Sequence, residues 1–186
     1  MEIKNIAVFS EGDLATRIAF RAAFYGMRVK VGAMAGEPVD IVRERLRRAG
    51  VQYMQDYGAR EFDIDKASGN ISCTGLMGEA LENAGLAIVA ISEELPTNSS
   101  FYTQLENAAP VKTIFATASF SDSGDLAGDS AGPSRFLAMR FKDSKSERDD
   151  EVEITIFPQT DRDAFYSFVS FAEEIGLKVL PINVAE

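Results

Sequence analysis

The segment that most constrains the fold is KNIAVFSEGDLATRIAF, residues 4–20. It opens with a short, mostly apolar run of the kind that forms a buried parallel strand. After a turn that contains a single glycine, Gly12, apolar residues recur at helical spacing from Leu14 onward. We therefore predict a buried strand, a tight turn over residues 10–15 and a helix whose first turn Asp13 caps with its side chain.

Strand and helix signals alternate along the rest of the chain. Residues 51–70 carry weak signals, and we predict an irregular stretch there. The alternation indicates one α/β domain over residues 1–186 with a doubly wound, mostly parallel, Rossmann-like sheet. Ligands bind such sheets at the carboxyl ends of the strands, so the turn at residues 10–15 is a candidate site. We predict further strands over residues 28–31, 86–91, 111–117, 136–141, 151–157 and 178–184, and further helices over residues 38–48, 76–84, 97–105 and 161–175. The first of these helices is expected to be closed by Gly50, and loops are predicted over residues 121–134 and 142–150.

The turn after the first strand has the layout of a dinucleotide-binding turn without its glycines. Ser10 and Ala15 stand where the outer glycines of G-x-G-x-x-G are expected. Glu11 and Asp13 lie where a pyrophosphate would sit, and a carboxylate within about 4 Å of a phosphate costs several kcal/mol at an effective dielectric near 20. The acidic residue that usually holds the adenine ribose is also missing, with Ala33 in its place. These residues favour a βαβ unit kept as a core over NAD binding in the ordinary mode.

Composition excludes several kinds of site. The chain has no histidine, which removes imidazole bases, Ser–His nucleophiles and the usual zinc ligands. Cys73 is the single cysteine, so we expect neither a disulfide framework nor a cysteine metal site. The net charge of −10 argues against nucleic-acid binding. We find no signal peptide and no membrane-spanning run, and expect a cytoplasmic protein without a membrane partner. A local basic cluster is interpreted as a solvated helix face: Arg43, Arg45, Arg47 and Arg48.

Five segments together resemble one known family. KNIAVFSEGDLATRIA (4–19) is similar to the opening I-x-V-I-G-x-G-x-M-G-x-x-I-A, and ENAGLAIVAISEEL (82–95) to A-D-L-V-I-E-A-V-P-E-x-L. IFATASFSD (114–122) resembles a serine-rich segment that follows the next strand. GPSRFLAMRF (132–141) resembles R-P-E-R-F-I-G-L-H-F, and VEITIFPQT (152–160) resembles V-E-V-V-x-x-P-x-T. These patterns resemble the NAD-binding domain of the 3-hydroxyacyl-CoA dehydrogenases along nearly the whole chain.

The first two segments correspond to the cofactor contacts of that family. Glu93 matches the second glutamate of its segment, which contacts the cofactor in the family, whereas Val89 replaces the first. The resemblance thus implies NAD as the cofactor, and the altered turn predicts that binding is weak or lost. The resemblance places the dinucleotide turn on four residues: Ser10, Gly12, Asp13 and Leu14.

The other segments correspond to the catalytic positions. In the family, a histidine takes the hydroxyl proton of a 3-hydroxyacyl-CoA while hydride passes to NAD. Arg140 holds the place of that histidine, Glu153 matches its glutamate partner, and Ser119 matches a serine that contacts the substrate. Because arginine stays protonated at any workable pH, Arg140 cannot be the base. We predict that it forms an ion pair with Glu153.

Three functions remain as alternatives. The first is a stand-alone domain of this kind without dehydrogenase activity. The second is an active NAD-dependent 3-hydroxyacyl-CoA oxidoreductase with an atypical cofactor site, and the third is a non-redox module that binds a ligand or a protein. Family members continue into a helical domain, which we expect to be absent here. We therefore expect self-association, as a dimer, or a protein partner on the surface that this domain would cover, with four apolar candidates: Phe136, Phe157, Phe165 and Phe168.

Overall fold

The structure, a computed structural model, describes residues 2–9, 12–34, 37–90, 99–119, 133–141 and 151–184. The strands are β1 (Asn5–Phe9), β2 (Arg28–Gly32), β3 (Ile71–Thr74), β4 (Leu86–Ala90), β5 (Ile114–Ser119), β6 (Phe136–Phe141), β7 (Glu151–Ile156), β8 (Lys178–Val179) and β9 (Asn183–Val184). The helices are α1 (Asp13–Phe24), α2 (Val39–Tyr57), α3 (Glu61–Gly69), α4 (Met77–Leu81), α5 (Ser99–Ala108) and α6 (Arg162–Glu174), and a short 3₁₀ turn at Pro133–Arg135 precedes β6.

The described strands form one nine-stranded sheet in the order β3-β2-β1-β4-β5-β6-β7-β8, with β9 also paired to β7. Neighbouring strands are parallel except β6 and β7, which are antiparallel. The chain winds from β1 outward to β3 and then returns to β4 on the other side of β1, so the strand order reverses between β1 and β4. The predicted α/β class with a doubly wound, mostly parallel sheet is confirmed.

Helices cover both faces of the sheet. Ile6 and Val8 of β1 belong to the larger apolar cluster, to which α1, α2, α3 and α6 contribute. Ala7 and Phe9 point to the opposite face and join the smaller cluster with α4 and α5. The continuous apolar run of β1 therefore reflects a strand that is buried from both sides.

Helix α2 is longer than predicted. It continues through Gly50 to Tyr57 and ends at Gly58, which adopts the left-handed conformation with φ 65°. A Cβ at Gly50 would lie 3.1 Å from the Phe20 ring, so this glycine allows close packing against α1 rather than ending the helix. The irregular stretch predicted for residues 51–70 is also wrong. It holds the rest of α2 and α3, whose pattern is weak because α3 buries only Ala67.

Other boundaries differ for local reasons. Edge strand β3 was missed because none of its four residues is fully buried, so it shows no clear apolar pattern. The strand predicted to begin at Val111 begins at Ile114, since Val111 is 88% exposed in a turn. The single strand predicted over residues 178–184 is divided into β8 and β9, with Pro181, which has no N–H to donate, between them. Of the loop predicted over residues 121–134, only Pro133 and Ser134 are described, and they begin the 3₁₀ turn before β6. The loop predicted over residues 142–150 falls outside the described residues.

Candidate functional site

The strand order reverses between β1 and β4, and a doubly wound sheet is expected to have its ligand crevice outside the carboxyl ends of two such strands. Phe9 and Ala90 are the last residues of these two neighbouring parallel strands. Ligands of doubly wound sheets bind in this kind of crevice. Ser10 and Glu93, two of the predicted cofactor contacts, follow these strand ends in the sequence and lie outside the described residues, as does Glu11.

Helix α1 begins at this crevice, and its first turn contains the other predicted cofactor contacts. Gly12 is the N-cap residue, with φ −123° and ψ 175°, and Asp13 is the first residue of the helix. The prediction that Asp13 caps α1 is wrong, because the cap position belongs to Gly12, which has no side chain to accept a hydrogen bond. The exposed Asp13 carboxylate instead lies at the positive end of the helix dipole. Leu14 is buried in the core, so a ligand can reach its backbone but not its side chain.

A buried ion pair follows the end of β2, the strand next to β1. Ala33 donates its N–H to the carbonyl of Thr74 at 2.9 Å, and a turn then joins the Met34 carbonyl to the N–H of Glu37 at 3.0 Å. The Glu37 carboxylate pairs with Arg45 of α2, and the two side chains are only 12% and 15% exposed. The Oε2 atom of Glu37 is buried and accepts no hydrogen bond from any described residue. Sequence reasoning missed this pair because its members lie eight residues apart in no recognised motif.

Strands β5, β6 and β7 bring the three predicted catalytic positions into one row. Ser119 is in register with Arg140 across β5 and β6, and Arg140 is in register with Glu153 across β6 and β7. The Arg140 Nε donates to Glu153 Oε2 at 3.0 Å, and its Nη2 donates to the same oxygen. The two side chains are 36% and 16% exposed. The ion pair predicted for these residues is confirmed.

This row offers a positive charge and hydrogen-bond donors but no imidazole. Along β6, Arg140 and Phe136 occupy positions that alternate with those of the residues in the larger cluster. Both residues therefore lie on the opposite face of the sheet, which α4 and α5 cover. A guanidinium has five donors and no acceptor, so residue 140 cannot take a proton from a hydroxyl group. The arrangement can brace β6 against β7 or attract an anion.

Other candidate chemistries find little support in the described part of the chain. No group of three or more Cys, Asp or Glu side chains there is placed to hold a metal ion. Burial raises the pKa of the Cys73 thiol, which argues against an activated nucleophile. None of the described helices has the length and apolarity needed to cross a membrane. The basic cluster on α2 is paired with carboxylates: Arg43 with Asp40, Arg45 with Glu37, and both Arg47 and Arg48 with Glu44.

The comparison with protein families accounts for the fold and for the crevice. Residues 5–186 match the family described as 3-hydroxyacyl-CoA dehydrogenase, NAD binding domain. The chain belongs to this family. The resemblance inferred from the five sequence segments is thereby confirmed.

Individual relatives agree with the family match. A probable 3-hydroxybutyryl-CoA dehydrogenase of Bacillus subtilis (strain 168) is 24% identical over 184 residues, covering 98% of this chain and 63% of that protein. The solved structure of a diketoreductase that acts on dicarbonyl compounds has a TM-score of 0.86 at 30% identity, covering 100% of this chain and 66% of that one. For the (S)-3-hydroxybutyryl-CoA dehydrogenase from Ralstonia eutropha the TM-score is 0.85 at 17% identity, with 100% and 65% covered, which supports the fold alone. The chain spans less than two thirds of each of these relatives.

The family's cofactor, NAD, fits the described residues in part. The buried Oε2 of Glu37 accepts no hydrogen bond from any described residue, but an oxygen enclosed in this way is not open to a ligand hydroxyl. The first turn of α1 offers backbone N–H groups of the kind that bind phosphates. The exposed Asp13 carboxylate in that turn opposes a phosphate. The first turn of α1 therefore fits the pyrophosphate of a dinucleotide only in part.

Proposed function

We propose that this protein is a NAD-binding-fold domain of the 3-hydroxyacyl-CoA dehydrogenase family that lacks dehydrogenase activity and binds NAD(H) weakly. The observation that carries the proposal is the ion pair between Arg140 and Glu153, at the row where the resemblance expects a histidine and a glutamate. General-base catalysis contributes about 10²–10⁴ in rate, and a guanidinium cannot supply it. In this protein the pair fixes β6 against β7 instead of moving a proton.

The proposed cofactor contacts follow from the first turn of α1 and from the resemblance. The backbone N–H groups of Asp13 and Leu14 would hold the pyrophosphate, because the N–H groups of a helix's first turn have no partner within the helix, and the resemblance adds Gly12 at the N-cap position. Ser10 and Glu93 are the contacts that the resemblance adds. Bound NAD would supply a hydride acceptor. Repulsion from the Asp13 carboxylate makes this site weaker than the low-micromolar sites expected of a working dehydrogenase.

An assay of acetoacetyl-CoA reduction tests the proposed lack of activity. We expect the protein to consume NADH no faster than a mixture without enzyme, at NADH concentrations up to several millimolar so that weak binding does not limit the rate. At micromolar NADH the variant Arg140→His should not restore turnover, because Glu11 and Asp13 still oppose the cofactor. An active member of the family, assayed in the same mixture, serves as the positive control.

The assay also separates the two remaining alternatives. NADH consumption by the wild-type chain above the control would contradict the proposal and favour an active oxidoreductase with an atypical cofactor site. If the protein consumes no NADH above the control, thermal-shift measurements with NADH and CoA esters distinguish a weak dinucleotide site from a module that binds another ligand. A rise in melting temperature with NADH at millimolar concentrations is the result we expect.

The phenylalanines expected at an interaction surface do not form one. Phe136 and Phe168 are 1% and 0% exposed and are ordinary residues of the two cores, so they do not contribute to such a surface. Phe157 and Phe165 are partly buried and pack against the same cores. Exposed apolar side chains also occur on α2 and α3.

We also infer that the protein forms a dimer through α2 and α3. Val51 and Met54 lie one turn apart on α2 and are 41% and 36% exposed, and Phe62 at the start of α3 is 72% exposed. The net charge of −10 opposes non-specific aggregation, which favours a defined contact between two copies.

Light scattering across a dilution series tests the dimer. We expect the wild-type protein to have the mass of two chains at high concentration. The Met54→Lys variant should have a mass closer to that of one chain. Val111→Lys replaces another apolar residue, 88% exposed in the turn before β5, and should leave the mass unchanged. The mass of one chain at every concentration would refute the dimer, as would an equal effect of both substitutions.

A further inference from the structure

Strand β3 is an open edge of the sheet. It lies at one end of the strand order, and among the described strands it pairs with β2 alone. Its sequence, Ile-Ser-Cys-Thr at positions 71–74, contains neither a charged residue nor a proline. Natural proteins usually place such residues, or a bulge, on an open edge, because an edge without them pairs readily with another chain. The β3 edge is therefore a candidate interaction surface.

The pairing with β2 shows which backbone groups this edge presents. The Ala33 N–H donates to the Thr74 carbonyl at 2.9 Å, so the backbone groups of Thr74 point towards β2. Because this direction alternates along a strand, the N–H and C=O groups of Ile71 and Cys73 point away from β2. These outward groups form no hydrogen bond with any described residue. The edge thus offers a donor and an acceptor at each of two positions, one on either side of Ser72.

The side chains of the same two residues carry the larger apolar cluster to the edge. Ile71 and Cys73 are partly buried and pack against that cluster, on the face of the sheet that α3 covers. Ser72 points to the opposite face and is exposed. A strand laid along the edge would cover the open sides of Ile71 and Cys73, and the burial of this apolar surface would favour the contact.

We propose that β3 pairs with β3 of a second copy of the chain, antiparallel and with the two-fold axis at Ser72. In this arrangement Ile71 of each copy faces Cys73 of the other. Each of these two pairs exchanges two hydrogen bonds, which gives four in all. The edge is therefore its own complement, as an interface between identical copies requires. The inference rests on the self-association proposed above, and it adds the strand that carries it, which directly follows α3.

The variant Cys73→Pro tests the outward donor. Proline removes the N–H of residue 73, which points away from β2, and an edge strand tolerates proline at such a position. The variant should therefore fold, since the hydrogen bonds between β3 and β2 are kept. Each dimer loses two hydrogen bonds, so its dissociation constant, measured by light scattering, should rise by about tenfold or more. Cys73→Ser is the matched control, because it also removes the thiol but keeps the N–H, and it should change the constant much less.

An engineered disulfide tests the position of the axis. In an antiparallel pair, opposite residues that share no hydrogen bonds have Cα atoms about 4.5 Å apart, within the range of about 4.4–6.8 Å that a disulfide spans. The double variant Ser72→Cys, Cys73→Ser should therefore form a disulfide between two chains under mild oxidation, detected by non-reducing electrophoresis. Thr74→Cys, Cys73→Ser is the matched control and should not, because the proposed pairing separates the two copies of position 74 by about 13 Å. Thermal melting shows whether each variant is folded.

Three results would overturn the pairing of β3. They are an unchanged dissociation constant in a folded Cys73→Pro variant, cross-linking of positions 72 and 74 to the same extent, and cross-linking of neither. In each case a dimer through α2 and α3 would still stand. If the wild-type protein has the mass of one chain at every concentration, the proposed dimer fails together with this inference. The disulfide decides the question even if Cys73→Pro does not fold.

Discussion

The double variant Glu11→Ala, Asp13→Thr should bind NADH about thirtyfold more tightly than the wild-type protein. Two unit charges 4 Å apart interact by about 1 kcal/mol in bulk water and about 4 kcal/mol at an effective dielectric of 20. The Asp13 side chain is exposed at the start of α1, so the lower figure applies to it. Two such carboxylates give about 2 kcal/mol, which corresponds to a factor of about thirty in the dissociation constant.

Calorimetric titration with NADH at low ionic strength measures this effect. Ala15→Gly is the matched control, because it restores a glycine of the dinucleotide motif without changing charge. Ala15 is 1% exposed within α1, so this change costs about 1 kcal/mol of helix stability and should improve binding less than the double variant. The advantage of the double variant should shrink as salt is added, since exposed charges are screened. A low-micromolar dissociation constant for the wild type would contradict the prediction, and so would equal constants for wild type and double variant.

The fold could be predicted where burial leaves a regular pattern in the sequence. Strand β1 is buried on both faces and gives a continuous apolar run, and α6 has an apolar stripe with Asp161 as its N-cap, which accepts from the Asp163 N–H at 2.9 Å. Helix α3 and strand β3 could not be predicted, because few of their residues are buried and their patterns are weak. Gly50 was misread because the sequence does not distinguish a helix-ending glycine from one that admits a neighbouring ring.

The candidate site also has one part that the sequence predicts and one part that it does not. The row through Ser119, Arg140 and Glu153 follows from the register of adjacent strands, so matching each segment to its family motif was enough to bring these positions together. The Glu37 and Arg45 pair joins a residue just before α2 to the second turn of that helix, eight positions further on, and no recognised motif has this spacing. The cap at Gly12 was missed for a simpler reason, since a glycine and the following aspartate are both acceptable N-cap residues.

Replacing Gly32 by Ala should destabilise the protein by about 3 kcal/mol. A Cβ built on Gly32 lies 2.3 Å from Cε1 and 2.5 Å from Cδ1 of Phe9, and 3.3 Å from the Cβ of Ala80. The Phe9 ring is 2% exposed and also packs edge-on against Phe101, with ring centroids 6.3 Å apart, so it cannot move aside without disturbing the core. Overpacking of this kind typically costs about 1–3 kcal/mol, and the severity of this collision places it at the upper end.

Urea unfolding followed by circular dichroism measures this loss, and Gly78→Ala provides the matched control. Nothing lies within 4 Å of a Cβ at Gly78, inside helix α4, so alanine there should stabilise the protein by up to about 1 kcal/mol. Adding Phe9→Leu to Gly32→Ala should recover part of the loss, because the smaller side chain vacates the space that the new methyl group needs. Since Gly32 ends β2 and contacts Phe9, the last residue of β1 before the candidate site, Gly32→Ala should also weaken NADH binding. Equal stability of Gly32→Ala and wild type would mean that the Phe9 ring does not occupy the space above Gly32 in solution.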